Sequence, residues 1–238
     1  MRSTPPLPNW IVHANFAGYE NVFKILDGLP EPYRTENSTR LYGTETLPGF
    51  GDWSARILVL SKDAGPSSTF RSLVAAGDRQ PWRHACPTKD DRKGVQTNVN
   101  LRELTREWCT TYLYGSCMAN LLRADGQQSG PLPGFDDPAL QAHVCRVLTW
   151  TIAELGSSLQ AIVCLGGDAW KTLGRALGIE LPKTLDRGKP YDLVVAGHNL
   201  RAFRMFHTSR AFSGGRVARQ AEWNRIADVL CVPRQVSL

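Results

Sequence analysis

Residues 137–177 read DPALQAHVCRVLTWTIAELGSSLQAIVCLGGDAWKTLGRAL, and the fold is decided here. Behind the Asp137-Pro138 start, apolar residues recur at helical spacing (Leu140, Val144, Val147, Leu148, Ile152, Leu155), which predicts a helix from Asp137 to Leu155. Ala161-Ile162-Val163-Cys164-Leu165-Gly166 is a short apolar run ending in glycine, the pattern of a buried strand, and a second helix is expected over Asp168 to Leu177. A buried strand between two helices is the repeating unit of an α/β sheet.

The same alternation extends in both directions. Upstream, Ala55 to Leu60 reads as a strand, ended by the turn-rich Ser61-Lys62-Asp63-Ala64-Gly65-Pro66-Ser67-Ser68. Residues 77–97 read as a long irregular loop, Leu101 to Cys109 as a helix, and Gly115 to Leu122 as a second strand, followed by a loop from Gly126 to Gly134. Downstream, Asp192 to Ala196 and Arg201 to Phe206 are strand candidates, and an amphipathic helix runs from about Arg216 to Leu230. The first 50 residues hold one expected helix, Ala14 to Leu26, between Pro- and Gly-rich flanks. The sum is a three-layer α/β/α fold with a central, mostly parallel sheet of four to five strands. Residues 1–238 read as a single domain in which 1–50 is an N-terminal extension packed on the core. Ligands are expected in the crevice beyond the carboxyl ends of the strands.

Composition narrows the function classes. The 238 residues are 42% apolar and 21% charged, which argues against disordered and fibrous classes. No apolar run approaches the roughly 18 residues that would cross a bilayer, and the start lacks a signal-peptide core, so no membrane partner and a cytoplasmic location are expected. Six cysteines lie far apart with no C-x-x-C pair, so no disulfide framework and no metal site are expected. The net charge of +6 permits a polyanionic partner. It is concentrated: Arg201, Arg204, Arg210, Arg216, Arg219 and Arg225 face the single acid Glu222, and Arg79 to Arg106 interleaves seven basic residues with Trp82 and His84. Either stretch alone is ordinarily a solvated face; together, flanking candidate loops, they point to phosphate contacts.

The residues just after the strands are Asp63, Asn120, Gly166-Gly167-Asp168 and His207. Each has an ordinary use. Asp63 can bond its own turn, Asn120 can end a strand, His207 can be structural, and Gly166-Gly167-Asp168 can supply a tight turn and a helix cap. Their order carries more. Ile57 to Pro66 resembles the water-activating loop of uracil-DNA glycosylases, and Met118-Ala119-Asn120-Leu121-Leu122-Arg123 resembles their base-recognition strand. Ile162 to Ala169 is similar to the buried strand of that superfamily, and Phe206-His207-Thr208-Ser209-Arg210-Ala211-Phe212-Ser213 resembles its His-Pro-Ser insertion loop. The ordered set covers most of residues 55–216. Departures are Ser61-Lys62 for Gly-Gln, Ala64 for Pro, Gly65 for a bulky Tyr, and Thr208 for Pro.

The resemblance implies a monomeric DNA glycosylase that excises uracil from single- or double-stranded DNA with no cofactor. Asp63 and His207 would be catalytic: the carboxylate orients water and offsets the sugar cation, and the imidazole donates to the departing base. Asn120 would pair with the uracil edge, Phe70 would stack on the base with Trp82 behind it, and Ala64 and Gly65 would line the pocket. Ser67, Ser209, Arg210, Phe212 and Arg216 would meet DNA, with Arg210 or Phe212 replacing the wedge for which Ala211 is too small. Gly65 would leave room for 5-substituted uracils or other deaminated bases. Two other readings use the same geography: a non-catalytic DNA-binding protein on the same fold, and an α/β nucleotide hydrolase, for which no G-x-x-x-x-G-K-[ST], G-x-G-x-x-G or G-x-S-x-G sequence is present.

Overall fold

The computed structural model describes residues 5, 7–27, 49–51, 53–62, 65, 67–76, 100–101, 103–106, 108, 112–117, 121–125, 137–184, 186–207 and 215–233. The helices are α1 (Asn9–Val12), α2 (Val22–Asp27), α3 (Ser67–Ala75), α4 (Pro138–Leu155), α5 (Gly167–Leu177) and α6 (Gly215–Val229). The strands are β1 (Tyr19–Asn21), β2 (Gly49–Gly51), β3 (Ile57–Ser61), β4 (Tyr112–Ser116), β5 (Leu121–Arg123), β6 (Ala161–Leu165), β7 (Pro190–Val195) and β8 (His198–Met205).

Among the described residues the main sheet has six strands in the order β2-β4-β3-β6-β8-β7. The central four, β4-β3-β6-β8, are parallel, and the two edge strands are antiparallel to their neighbours. Along β3 and β6 the side chains alternate between two cores. Leu58, Leu60, Ile162 and Cys164 pack with α4 and α5 residues such as Val144, Ile152, Trp170 and Leu173. Ile57, Val59, Ala161, Val163 and Leu165 pack with Leu101, Leu104, Trp108 and the α6 residues Trp223 and Ile226. A strand covered on both faces has no solvated side to require polar alternation, which is why β6 reads as an unbroken apolar run. The α/β expectation holds as a three-layer arrangement.

The four parallel strands run in spatial order second, first, third, fourth. The chain leaves β3 toward β4 on one side, then returns past β3 to β6 and β8 on the other. The direction reverses between β3 and β6, and this is the switch point at which the carboxyl ends of such sheets open a crevice.

Several expectations change. The helix over 14–26 survives only as α2, because 19–21 form β1 and pair antiparallel with β5 at Tyr19↔Arg123 and Asn21↔Leu121. The Asn21 amide secures this shape by donating to the carbonyls of Val12 (3.0 Å) and Ala14 (2.6 Å). The expected strand from Gly115 to Leu122 is two strands. The Cys117 N–H makes a last bond to the Ser61 carbonyl at 2.9 Å, and β5 then joins β1 outside the main sheet. The helix at 101–109 is shorter, helical at 100, 101, 103 and 104 and a turn by 105. The sheet exceeds four to five strands because β2 adds an edge. The loops at 77–97 and 126–134 lie outside the described residues.

Candidate active site at the strand ends

Local sequence shapes the turns that follow β3 and β6. After β3, Gly65 adopts φ +99°, a left-handed conformation that strains any residue with a Cβ, and among the described residues a Cβ built there meets nothing within 4 Å. Gly65 is therefore both a backbone requirement and, among the described residues, a place with open space beside it. Its carbonyl accepts the Arg123 N–H at 3.1 Å, which ties the turn after β3 to β5. Beyond β6, Gly166 has φ +94° and caps α5 without a side-chain bond. Its N–H donates to the Met205 carbonyl at 2.8 Å, so the ends of β6 and β8 are held together. The Gly166-Gly167-Asp168 set thus supplies the expected turn and cap, with Gly166 as the cap and Asp168 in the first turn of α5.

His207 follows β8 and is half-buried; a Cβ on Gly166 would stand 3.4 Å from the His207 Cβ. That distance is ordinary van der Waals contact, so glycine at 166 is required by its φ of +94° and not by the approach of His207. The residue before it, Phe206, lies under the Arg187 guanidinium, 3.3 Å from the ring centroid, and Arg187 also donates to the Glu222 carboxylate on α6 at 3.0 Å. These contacts hold the exit of β8 between the β7 side of the sheet and α6.

Lys62 departs from the Gln of the resemblance, and it reaches across the switch point. Its ammonium stands 3.7 Å from an Asp168 carboxylate oxygen, with the lysine side chain 13% exposed and the aspartate 61%. Sequence spacing gave no signal for this pair, since the two residues belong to different strand-end loops.

A scan against protein-family models gives no match, and a search among curated proteins gives none.

The expected site residues divide into three groups. Gly65 and His207 stand at the carboxyl ends of β3 and β8, with Gly166 to Asp168 between them at the end of β6. Asp63, Ala64, Asn120, Ser209, Arg210 and Phe212 lie outside the described residues, as does Trp82, and nothing is described of the Arg216 side chain. The third group, Phe70 and Ser67, has contacts within the fold. Phe70 is half-buried on α3 and packs against the core beneath α6. Ser67, expected to meet phosphate, is fully buried, and its hydroxyl faces the carboxylates of Glu20 (2.8 Å) and Asp125 (3.0 Å). A hydroxyl sealed between two anions is not presented to a third.

The arginine stretch is likewise divided. Arg201 donates to the Val229 carbonyl at 2.7 Å and Arg204 to the Lys183 carbonyl, so both brace the fold. Arg219 is half-buried, and burial holds its pKa below the ordinary value against the opposing charge of Glu222. The buried Cys164 thiol is pushed well up by burial and by neighbouring Cys117, which keeps it protonated and inert. Among the described residues no group of three or more His, Cys, Asp or Glu side chains gathers to hold a metal ion, and no helix is long and apolar enough to cross a membrane.

Proposed function

We propose that this chain is a DNA glycosylase that flips uracil out of DNA and hydrolyses its N-glycosidic bond. The observation that carries the reading is the strand order. Three of the four resemblances lie on or just beyond β3, β6 and β8, adjacent parallel strands around the switch point, and the fourth, 118–123, follows their neighbour β4 and runs into β5. Four weak motifs scattered over about two-thirds of a sequence gain weight when their strands end side by side at a ligand-binding position.

The chemistry asked of them is consistent. Cleavage leaves an oxocarbenium-like sugar and an anionic base, so the site needs a carboxylate on one side and donors on the other. Asp63, two residues before the Gly65 turn, supplies the carboxylate. His207, seated against Gly166, supplies a donor to the base. Asn120, immediately before β5, offers a donor and an acceptor to the uracil edge and mismatches the reversed pattern of cytosine. The open space beside Gly65 supports acceptance of bases carrying a substituent at C5. Arg210 and Arg216, which follow β8 in the sequence, contact DNA phosphates.

The test is direct. Purified chain is incubated with single- and double-stranded oligonucleotides holding one uracil, then alkali reveals abasic sites as strand breaks. Cleavage at uracil alone supports the reading. Intact uracil DNA that the chain nevertheless binds tightly would favour a non-catalytic DNA-binding protein.

A further inference from the structure

Lysine side chains ordinarily stand in solvent, and among the described residues Lys24, Lys171, Lys183 and Lys189 do. Lys62 is drawn in, with 13% of its side chain exposed. It is the first residue past β3, and its ammonium stands 3.7 Å from an Asp168 carboxylate oxygen. That carboxylate, in the first turn of α5, is 61% exposed. The switch point lies between β3 and β6, so the pair spans it from one strand end to the other. His207 borders the same turn from the β8 side: a Cβ on Gly166 would stand 3.4 Å from the His207 Cβ and 3.9 Å from its Cδ2. Because β3 and β8 are the two neighbours of β6, an ammonium and an imidazole flank residues 166–168 from both sides.

An ion pair with so exposed a partner adds little stability, and drawing in a lysine stem costs its rotamer freedom. The order of exposure says what the ammonium can receive. A backbone phosphate approaching from solvent meets the more exposed Asp168 carboxylate and is repelled by it. A neutral base is not repelled, and it takes up charge only once seated. We propose that Lys62 is a further catalytic residue: its ammonium donates a hydrogen bond to a carbonyl oxygen of the departing base and, opposite His207, stabilises the negative charge that the base acquires. The proposal rests on the glycosylase reading and deepens it.

As the glycosidic bond breaks, its electron pair passes to the base nitrogen, while the oxygen of a water bonds to the sugar carbon and gives up a proton. The negative charge spreads onto the carbonyl oxygens of the base. A cation fixed in place beforehand stabilises that charge without reorganising, and the partly enclosed position of Lys62 limits screening by water. Lys62 keeps its proton throughout, since it has only to donate. The Asp168 carboxylate holds the ammonium at the switch point, and its own charge, largely in water, is the more strongly screened. An interaction that strengthens only as the base becomes an anion lowers the barrier and leaves binding of the intact DNA almost unaltered.

Lys62→Met keeps an apolar stem of similar length and removes the charge, and Lys62→Arg keeps the charge. Each is assayed in single turnover on oligonucleotides holding one uracil or one 5-fluorouracil, whose fluorine withdraws electrons and lets the base leave as a more stable anion. Expected for Lys62→Met is a fall of about 100-fold in uracil excision, with DNA affinity within about twofold of wild type. The fall on 5-fluorouracil should be smaller by about tenfold, and Lys62→Arg should recover most of the loss on uracil. Equal losses on the two bases would overturn the proposal, because a lysine that only braces the loop does not sense the leaving group. A loss of affinity at unchanged rate, the mark of a phosphate contact, would overturn it as well. Should circular dichroism show Lys62→Met unfolded, Lys62→Gln, polar and uncharged, carries the same comparison. A wild type inactive on both bases would sink the glycosylase reading and this role with it, whereas an active wild type indifferent to the charge at 62 would sink the role alone.

Discussion

Replacing Asp63 by Asn preserves size and removes charge, which separates a role in the transition state from one in affinity. Uracil excision by Asp63→Asn should fall by at least ~100-fold while DNA binding stays nearly intact, since the charge is needed only as the sugar cation develops. Single-turnover kinetics and a filter-binding titration give the two numbers; wild-type turnover would move the catalytic carboxylate elsewhere. His207→Ala strips a donor from the leaving base and should raise the barrier by ~3 kcal/mol, by analogy with loss of one oxyanion donor. Gly65 calls for a paired test, because its φ of +99° strains any side chain. Gly65→Ala carries the strain alone, and Gly65→Tyr adds bulk in the open space. If that space admits 5-substituted uracils, Gly65→Tyr should lose excision of 5-hydroxymethyluracil relative to uracil while Gly65→Ala keeps the wild-type ratio. Equal ratios in all three proteins would rule out the open pocket.

At the scale of elements, the N-terminal segment docks on α4 through an aromatic cluster. His143 lies against Trp10 at 5.8 Å and Phe16 at 5.1 Å between ring centroids, and the Arg146 guanidinium stacks over Trp10 at 4.1 Å. Burial, and after it the Arg146 charge, lower the His143 pKa from 6.5 to about 4. The folded chain binds this proton more weakly than the unfolded one, so the neutral ring's contribution is whole above pH 6.5 and declines as pH falls from 6.5 toward 4. Between pH 7.5 and 4.5 the wild type should lose ~2 kcal/mol more stability than His143→Phe, a figure discounted for the part of the ring that faces solvent. Urea unfolding at the two pH values measures the difference. Parallel loss in both proteins would place the acid sensitivity elsewhere. The helix that receives this segment was legible in advance: Asp137 accepts the Ala139 N–H at 2.9 Å, and Pro138 opens α4.

For the whole molecule, stability is set by the sheet sandwiched between two apolar layers. Ile162 is fully buried in β6 between β3 and β8, so Ile162→Ala should cost 2–5 kcal/mol, roughly, by lost transfer energy and an unfilled cavity. Thermal unfolding of this variant should show one transition lowered by several degrees; a change below about 0.5 kcal/mol would mean that the layers collapse onto the gap.

The sequence alone determined the layer architecture, because burial on both faces writes itself into a strand as an unbroken apolar run and into a covering helix as a 3.6-residue period. β3, β6, α4 and α5 were legible for that reason, as were Gly65 and His207 as residues just beyond strand ends. Partners far apart in the chain leave no such mark. That β1 would replace a helix, that β5 would leave the main sheet to meet it, that Lys62 would reach Asp168, and that Ser67 would serve two carboxylates in place of phosphate were decided only in the tertiary structure. In each case a hydrogen bond or ion pair across tens of residues outweighed a local preference worth no more than about 1 kcal/mol per residue.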